Sequence, residues 1–315
     1  RYLTNNDKSS ILGETTMQNM EQRFKSMSIF DFQRKFPDAD SCLSHLATLK
    51  WGEGYSCPKC GHGSSCEGSS PHSRQCTRCR YVESPTAGTL FHKLKFDPLK
   101  AFWIVYFLAT NKKGFSSTEL ARKLELGQKT CWRFKRKVMK AMKSSGNYPI
   151  TGTAEVDETV FGQQEEGVRG RENARKKLVV VGIEKKGKSV SRLYARAIPH
   201  ADASCLGGFM KDHIDPAAKV TTDQWTGYGP LAKDFANMVQ IPSGKKGDNF
   251  PELHRAIMML KGWLRGMHHH VEDLQDYLDE YCYRFNRNFM KERIFDNLVL
   301  RMVKAPPCLI KNISG

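Results

Sequence analysis

Two C-x-x-C pairs constrain the fold of this chain more than any other feature of its sequence. Cys57 and Cys60 form the first pair, Cys76 and Cys79 form the second, and fifteen residues separate the two pairs. Each C-x-x-C turn points two thiolates at one ion, and zinc binds four sulfurs tetrahedrally. Gly61 follows the first pair, where a tight turn needs positive φ. The spacing therefore predicts a zinc ribbon around a structural Zn²⁺ ion.

The two C-x-x-C pairs favour metal binding in a reducing compartment over disulfide bonds. A redox dithiol is the alternative for the two pairs, but it leaves the second pair unexplained. Cys66, His62 and His72 lie inside the loop and are interpreted as bystanders, because four cysteines complete the zinc shell. We find no secretory pattern and no apolar run near the ~18 residues of a membrane span. These observations predict a cytoplasmic protein that does not enter a membrane.

The charge of the chain is strongly positive and unevenly distributed. There are 50 Lys and Arg against 33 Asp and Glu, a net charge of +17. Residues 1–150 hold 25 basic and 12 acidic residues, a net of +13, whereas residues 151–315 hold 25 and 21, a net of +4. The excess favours a polyanionic partner that binds the first half of the chain. A basic surface kept for solubility is the alternative.

A helix-turn-helix pattern lies at the end of this basic half. Ser116 and Glu119 form a capping box, and Gly127 falls in the turn between two amphipathic segments. The second helix carries six bases and no acid, which favours contacts with DNA phosphates over a merely solvated face. These bases are Arg133, Lys135, Arg136, Lys137, Lys140 and Lys143.

From residue 150 the pattern changes to β-strands. Strands are predicted at 153–161, 178–183 and 190–198, then a helix at 203–214, a strand that ends at Asp223, a short helix at 228–236 and a strand at 238–241. This order is that of a ribonuclease-H-like α/β domain, in which an antiparallel meander continues into parallel strands. The fold class is therefore a mixed sheet flanked by helices, preceded by a zinc ribbon and a helix-turn-helix domain.

Asp157 is the most informative residue of the predicted sheet. It lies in the middle of a strand rich in β-branched residues, where a carboxylate is unfavourable unless a cation compensates it. Asp223 ends a second strand, and His254 lies at the start of an amphipathic helix. We therefore expect these three side chains to meet around divalent metal, in a site that cuts or joins phosphodiesters. Glu158 alternates to the opposite face of the strand and is interpreted as structural.

These motifs resemble bacterial insertion-sequence transposases of the DDE superfamily, in the group with a zinc ribbon and an ISXO-type transposase domain. The resemblance covers roughly residues 27–290 and is carried by Cys57-Pro58-Lys59-Cys60-Gly61, Val156-Asp157-Glu158-Thr159 and Thr222-Asp223-Gln224-Trp225. It implies Mg²⁺ or Mn²⁺ as catalytic cofactors and strand cleavage and transfer at the ends of a mobile element. It also implies double-stranded DNA, both element ends and target, as the partner, a homodimer or larger assembly on DNA, and a nucleoid-associated location in bacteria.

The third catalytic position departs from the family pattern, which places Glu, or sometimes Asn, seven residues before a Lys. Here Lys261 is preceded at that distance by His254. His254 is either a neutral ligand in an active variant, which suits Mn²⁺ better than Mg²⁺, or a sign of an inactive copy. Glu252 is a third possibility, although two residues along a helix turn it away by about 200°. Lys261 is expected to contact a DNA phosphate, or else to be a surface lysine.

The predicted domains are a disordered leader at 1–26, with Met27 as the natural start, a helical lead-in and zinc ribbon at 27–84, a helix-turn-helix domain at 85–148, a catalytic domain at 149–292 and a tail at 293–315. The predicted function is a DNA transposase. The first alternative is a catalytically inactive, transposase-derived DNA-binding regulator. The second is an RNA-processing nuclease with the same fold, which cleaves RNA or hybrid without end specificity.

Overall fold

The structure is a computed structural model that describes residues 26–111, 113–162, 176–267 and 273–308, without the side chain of Lys246. Most of the predicted leader at 1–26 and the end of the predicted tail lie outside the described residues. The chain divides into two compact units. The first unit comprises the described parts of Arg1–Thr110 and Arg287–Pro307, and the second comprises those of Asn111–Asn286 and Cys308–Gly315. Among the described residues, no helix has the length and apolar content to span a membrane.

The helices and strands follow one another in a simple order along the chain. They are α1 (Ile29–Lys35), α2 (Ala39–Trp51), β1 (Ser65–Glu67), β2 (Arg74–Cys76), β3 (Val82–Glu83), α3 (Pro98–Thr110), α4 (Ser117–Leu124), α5 (Gln128–Met142), β4 (Thr153–Phe161), β5 (Lys177–Lys186), β6 (Ser189–Ile198), α6 (Ala203–His213), β7 (Lys219–Thr222), β8 (Met238–Gln240), α7 (Pro251–Arg265), α8 (Leu274–Asn286) and α9 (Ile294–Lys304). Short 3-10 helices cover Thr226–Lys233, Lys245–Gly247 and Asn288–Arg293.

The first unit contains helices from both ends of the chain. The sequence pattern at 28–50 becomes two helices, because Pro37 interrupts it and Asp38 caps α2 by accepting the Ser41 amide. Residues 293–315 were predicted to be a tail, but α9 is a helix with a buried apolar face. The Phe295 ring lies 5.6 Å from Phe32 and 5.9 Å from Phe102, between ring centroids. The recurrence of apolar residues at three and four positions from Ile294 explains this packing.

The second unit is built on a five-stranded mixed sheet in the order β6-β5-β4-β7-β8. Strands β4, β5 and β6 form an antiparallel meander, and β7 and β8 continue it in parallel from β4. The predicted mixed sheet flanked by helices is confirmed. Helices α7 and α8 pack on one face of the sheet through residues such as Leu260 and Leu278. Helix α6 packs on the other face through Phe209. Strand β4 is therefore central, with an apolar layer on each side.

Helices α4 and α5 form the predicted helix pair and belong to the second unit. The Ser116 hydroxyl accepts the Glu119 amide at 3.0 Å and so caps α4. Glu125 ends α4 in the left-handed region at φ 51°, and Gly127 precedes α5. The arrangement of two helices around a short turn is present, whereas its role in DNA binding stays a prediction.

Candidate active site and metal centre

The four cysteines of the C-x-x-C pairs converge in the first unit. Their sulfurs all lie within 4.8 Å of one another, and the Cys57–Cys79 and Cys60–Cys76 sulfurs are both 3.6 Å apart. Sulfurs bound tetrahedrally at the usual zinc–sulfur length are separated by about 3.8 Å. The donor set and its spacing therefore fit a tetrahedral ion.

The turns that hold these sulfurs have matching backbones. The Gly61 amide donates to the Cys57 carbonyl at 2.8 Å, and the Arg80 amide donates to the Cys76 carbonyl at 3.0 Å. Both Gly61 (φ 70°) and Arg80 (φ 61°) have positive φ, as predicted for Gly61. Cys66 is exposed and lies outside the cluster of four. The two turns are thus equivalent, although only the first carries a glycine.

The parallel pairing of β4 and β7 brings Asp157, in the middle of β4, next to Asp223, which directly follows β7. Val156 of β4 is paired with Thr222, the last residue of β7, so the next residue on each strand is an aspartate. Asp157, Asp223 and Glu158 form the acidic group of this unit. Their carboxylate oxygens all lie within 4.8 Å of one another. Two unit charges at that separation repel by about 3 kcal/mol at an effective dielectric constant of 20. Three such oxygens are donors that Mg²⁺ or Mn²⁺ accepts, so the group fits a hard divalent cation.

Backbone amides orient the two aspartates. Asp157 Oδ1 accepts the Glu158 amide at 2.7 Å, and Asp223 Oδ1 accepts the Trp225 amide at 3.0 Å. Gln240 donates to the Asp223 carbonyl at 3.0 Å, which ties the end of β7 to β8. Burial and then the charge of Asp223 raise the pKa of Asp157, against the opposing effects of the Glu158 amide and His254. A nearby cation would reverse that increase.

Glu158 lies closer to the aspartates than the alternation of strand side chains suggests. It was interpreted as structural, and its Oε2 does accept a hydrogen bond from the Tyr228 hydroxyl at 2.9 Å. Its carboxylate nevertheless joins the acidic group. Because β7 ends at Thr222, its pairing with β4 stops at Val156, and side chains from both faces of β4 reach the same point. The sequence signal that was missed is the acidic residue directly after Asp157, at the level where the neighbouring strand β7 has ended.

His254 and Lys261 both lie on the face of α7 that covers Asp157. His254 Nε2 is 3.4 Å from Asp157 Oδ2. Lys261 Nζ lies 5.5 Å from the centroid of the Phe161 ring, and Phe161 shares the strand face of Asp157. Burial lowers the pKa of Lys261, as does Arg265, while Asp157 opposes the shift. His254 and Lys261 thus project from the same face of α7, as their spacing of seven residues implies.

Glu252 has a different partner. Its carboxylate lies 3.4 Å from Lys185 Nζ, and Lys185 also binds Glu155 at 2.7 Å. These ion pairs join α7 to β4 and β5 beside the acidic group. The structure thus favours His254 over Glu252 as the α7 side chain that reaches Asp157.

Gly247 provides a test of the position of His254. Gly247 has a φ of 81°, and a Cβ added there would overlap the imidazole of His254. We expect Gly247→Ala to displace the ring and lower Mn²⁺ affinity about tenfold, in addition to backbone strain of about 1–3 kcal/mol. Gly244→Ala is the matched control, since Gly244 has a φ of 79° but its added Cβ would meet Asn249 at 3.3 Å. Mn²⁺ affinity is measured by titration calorimetry. If the two variants bind Mn²⁺ equally well, His254 is not a ligand of the metal site.

Two family models match the chain over these regions. The ISXO2-like transposase domain matches residues 149–286, and the transposase zinc-ribbon domain matches residues 37–82. The first range contains the acidic group and the second contains all four clustered cysteines. The chain therefore contains the DDE transposase domain and the transposase zinc ribbon of this family.

Comparison with individual proteins adds little to that assignment. The Mos1 transposase paired-end complex with left transposon end is 13% identical, with 64% of this chain and 78% of that chain covered and a TM-score of 0.27. The crystal structure of a pre-cleavage Mos1 transpososome is 10% identical, with 65% and 78% covered and a TM-score of 0.25. Similarity at this level supports no conclusion. No curated protein matches the chain.

The bases of α5 in this transposase fall into two groups. Lys135 is 2% exposed, donates to the Phe115 carbonyl at 2.7 Å and lies 3.9 Å from Glu280. Arg136 is 7% exposed and binds Asp273 at 2.6 Å. These two were predicted to bind DNA, but in this structure their charged groups pair with residues in or just before α8. Arg133 and Lys137 are half-buried and Lys140 is exposed, so for these three DNA contact stays a prediction.

Lys135 is therefore expected to act on stability. Its removal leaves Glu280, which is fully buried, with Arg284 as its remaining basic partner at 3.0 Å. We expect Lys135→Met to reduce the free energy of unfolding by about 3 kcal/mol. Lys140→Met is the control on the same helix, because Lys140 is exposed and pairs with Asp276 only at 3.6 Å. It should change stability by less than about 1 kcal/mol. Urea unfolding measures both, and equal losses would contradict the distinction.

Proposed function

We propose that this transposase binds the terminal repeats of its own element and catalyses metal-dependent DNA strand cleavage and transfer. The convergence of three carboxylates, two from the middle of β4 and one just after β7, is the observation that supports this proposal most directly. Such a donor set is what a phosphodiester-cleaving site needs to hold Mg²⁺ or Mn²⁺. When bound, the cations would promote attack by water or a 3′-hydroxyl and stabilise the leaving oxygen.

Each residue of the site has a proposed part in this reaction. Asp157 and Asp223 bind the catalytic cations, and His254 is a neutral ligand beside Asp157. Lys261, at the same helix face, contacts a phosphate of the bound DNA and offsets its charge. The short His254–Asp157 distance and the position of Lys261 over the Phe161 ring support the assignments of His254 and Lys261.

The remaining proposals concern binding and assembly. The four clustered cysteines bind structural Zn²⁺, and Arg133, Lys137 and Lys140 contact double-stranded DNA, at the element ends or at the target. Two element ends must be held together for transfer, so a homodimer or larger assembly forms on DNA. The substrate places the reaction at the nucleoid in the bacterial cytoplasm.

An end-cleavage assay tests the proposal. The full chain is incubated with labelled duplexes that carry the terminal repeats flanking its gene, with Mg²⁺, with Mn²⁺ or with a chelator. We expect cleavage and joining only when metal is present, and only with the repeat sequence rather than a scrambled duplex of equal composition. Tight binding of the repeats without cleavage in either metal would indicate a regulator. Cleavage of RNA or hybrid without end preference would indicate a nuclease.

A further inference from the structure

A hydrogen bond on the core side of Glu158 fixes its carboxylate at the acidic group. Glu158 is 8% exposed and lies on β4, on the strand face shared with Val156, which packs against the apolar layer containing α6. Tyr228 lies in that layer, is fully buried, and donates its hydroxyl proton to Glu158 Oε2 at 2.9 Å. The phenol is therefore a fixed donor on the core side of the carboxylate. It orients Glu158 in the way that an outer hydrogen bond orients a metal ligand.

The open edge of β4 lets this carboxylate reach the site. β7 pairs with β4 only from Thr153 to Val156, so no strand of β7 covers that edge at residues 157 and 158. An oxygen of Glu158 lies within 4.8 Å of oxygens from both aspartates, although Asp157 belongs to the opposite strand face. Glu158 is thus placed to share a cation with Asp157 and Asp223.

We infer, on the basis of the transposase function proposed above, that Glu158 supplies the third carboxylate of the metal site and that Tyr228 is its positioning residue. His254 contributes no negative charge when neutral, and Glu158 restores the charge that a third acidic ligand would provide. Three carboxylate donors suit the hard Mg²⁺ ion, whereas two carboxylates and an imidazole favour a softer metal such as Mn²⁺. Mg²⁺ binding should accordingly depend on Glu158 more than on His254.

Metal binding by the full chain, measured without DNA, tests this inference. Mn²⁺ affinity is measured by electron paramagnetic resonance, and Mg²⁺ affinity by its competition with Mn²⁺. We expect Glu158→Gln to weaken Mn²⁺ binding about 100-fold and Tyr228→Phe about tenfold. Glu155→Gln is the matched control, since Glu155 is also a buried glutamate on β4 but pairs with Lys185 at 2.7 Å. It should leave Mn²⁺ affinity unchanged.

The outcomes separate this inference from the proposed function. Wild-type Mn²⁺ affinity in Glu158→Gln, together with loss of binding in Asp157→Asn, would overturn the role of Glu158 and leave the site intact. Unchanged affinity in both variants would overturn the metal site and the proposed function with it. Thermal unfolding without metal checks that each variant is folded. If Glu158→Gln does not fold, Tyr228→Phe decides, because it keeps the carboxylate and removes only its donor, and unchanged affinity there overturns the inference.

Discussion

Asp157→Asn is expected to lower the rate of strand cleavage by at least about 10³-fold, because the amide removes a metal-binding charge from the centre of the acidic group. The variant should fold, since asparagine has the same shape and its side-chain oxygen can still accept the Glu158 amide. Cleavage of the labelled element ends in Mg²⁺ and in Mn²⁺ measures the effect, and a DNA-binding assay confirms that the repeats are still bound.

Asp234→Asn is the matched control for this substitution. Asp234 belongs to the same unit, and its carboxylate lies 3.0 Å from Lys211, a surface partner 60% exposed. This variant should cleave DNA at the wild-type rate. If Asp157→Asn and the control retain equal activity, the acidic group is not the catalytic site, whatever metal the protein binds.

Cys57→Ser is expected to remove zinc from the protein and to unfold the ribbon. The ribbon has three strands of two or three residues each, so it buries too little apolar surface to be stable without its ion. Elemental analysis should give about one zinc per wild-type chain and close to none for the variant. Limited proteolysis should then cut the variant within residues 57–83, a region that the wild type protects.

Cys66→Ser controls for the loss of a thiol in the same region. Cys66 lies on β1 but is exposed and outside the cluster of four sulfurs. Its replacement should leave both the zinc content and the proteolytic pattern unchanged. Full zinc content in Cys57→Ser would show that the ribbon is held by other ligands.

The sheet was predictable because its signals are local. The β-branched run around Asp157 gave strand limits of 153–161, which are the limits of β4, and the order of the later elements implied the meander and its parallel continuation. The spacing of Asp157, Asp223 and His254 also anticipated side chains that lie together. In each case a repeated pattern and a short connection left few alternatives.

The site residues that were missed depend on where neighbouring elements end. Glu158 reaches the aspartates only because β7 is four residues long, and strand alternation alone does not contain that information. Lys135 looked like a DNA contact because α5 has no acids, but its acidic partner, Glu280, is supplied by α8, more than 130 residues later. Such long-range pairs leave no signal in the spacing of either helix.

The placement of α9 has a consequence for the order in which the protein folds during synthesis. The aromatic core of the first unit includes Phe295, which leaves the ribosome only after every strand of the second unit has been made. Domains of a growing chain fold as units, generally from the N-terminal end. Here the second unit can fold first, while α1, α2 and α3 keep their apolar faces exposed until α9 has been made. Released chains truncated just before residue 294 should therefore protect the sheet from protease but leave residues 26–110 sensitive.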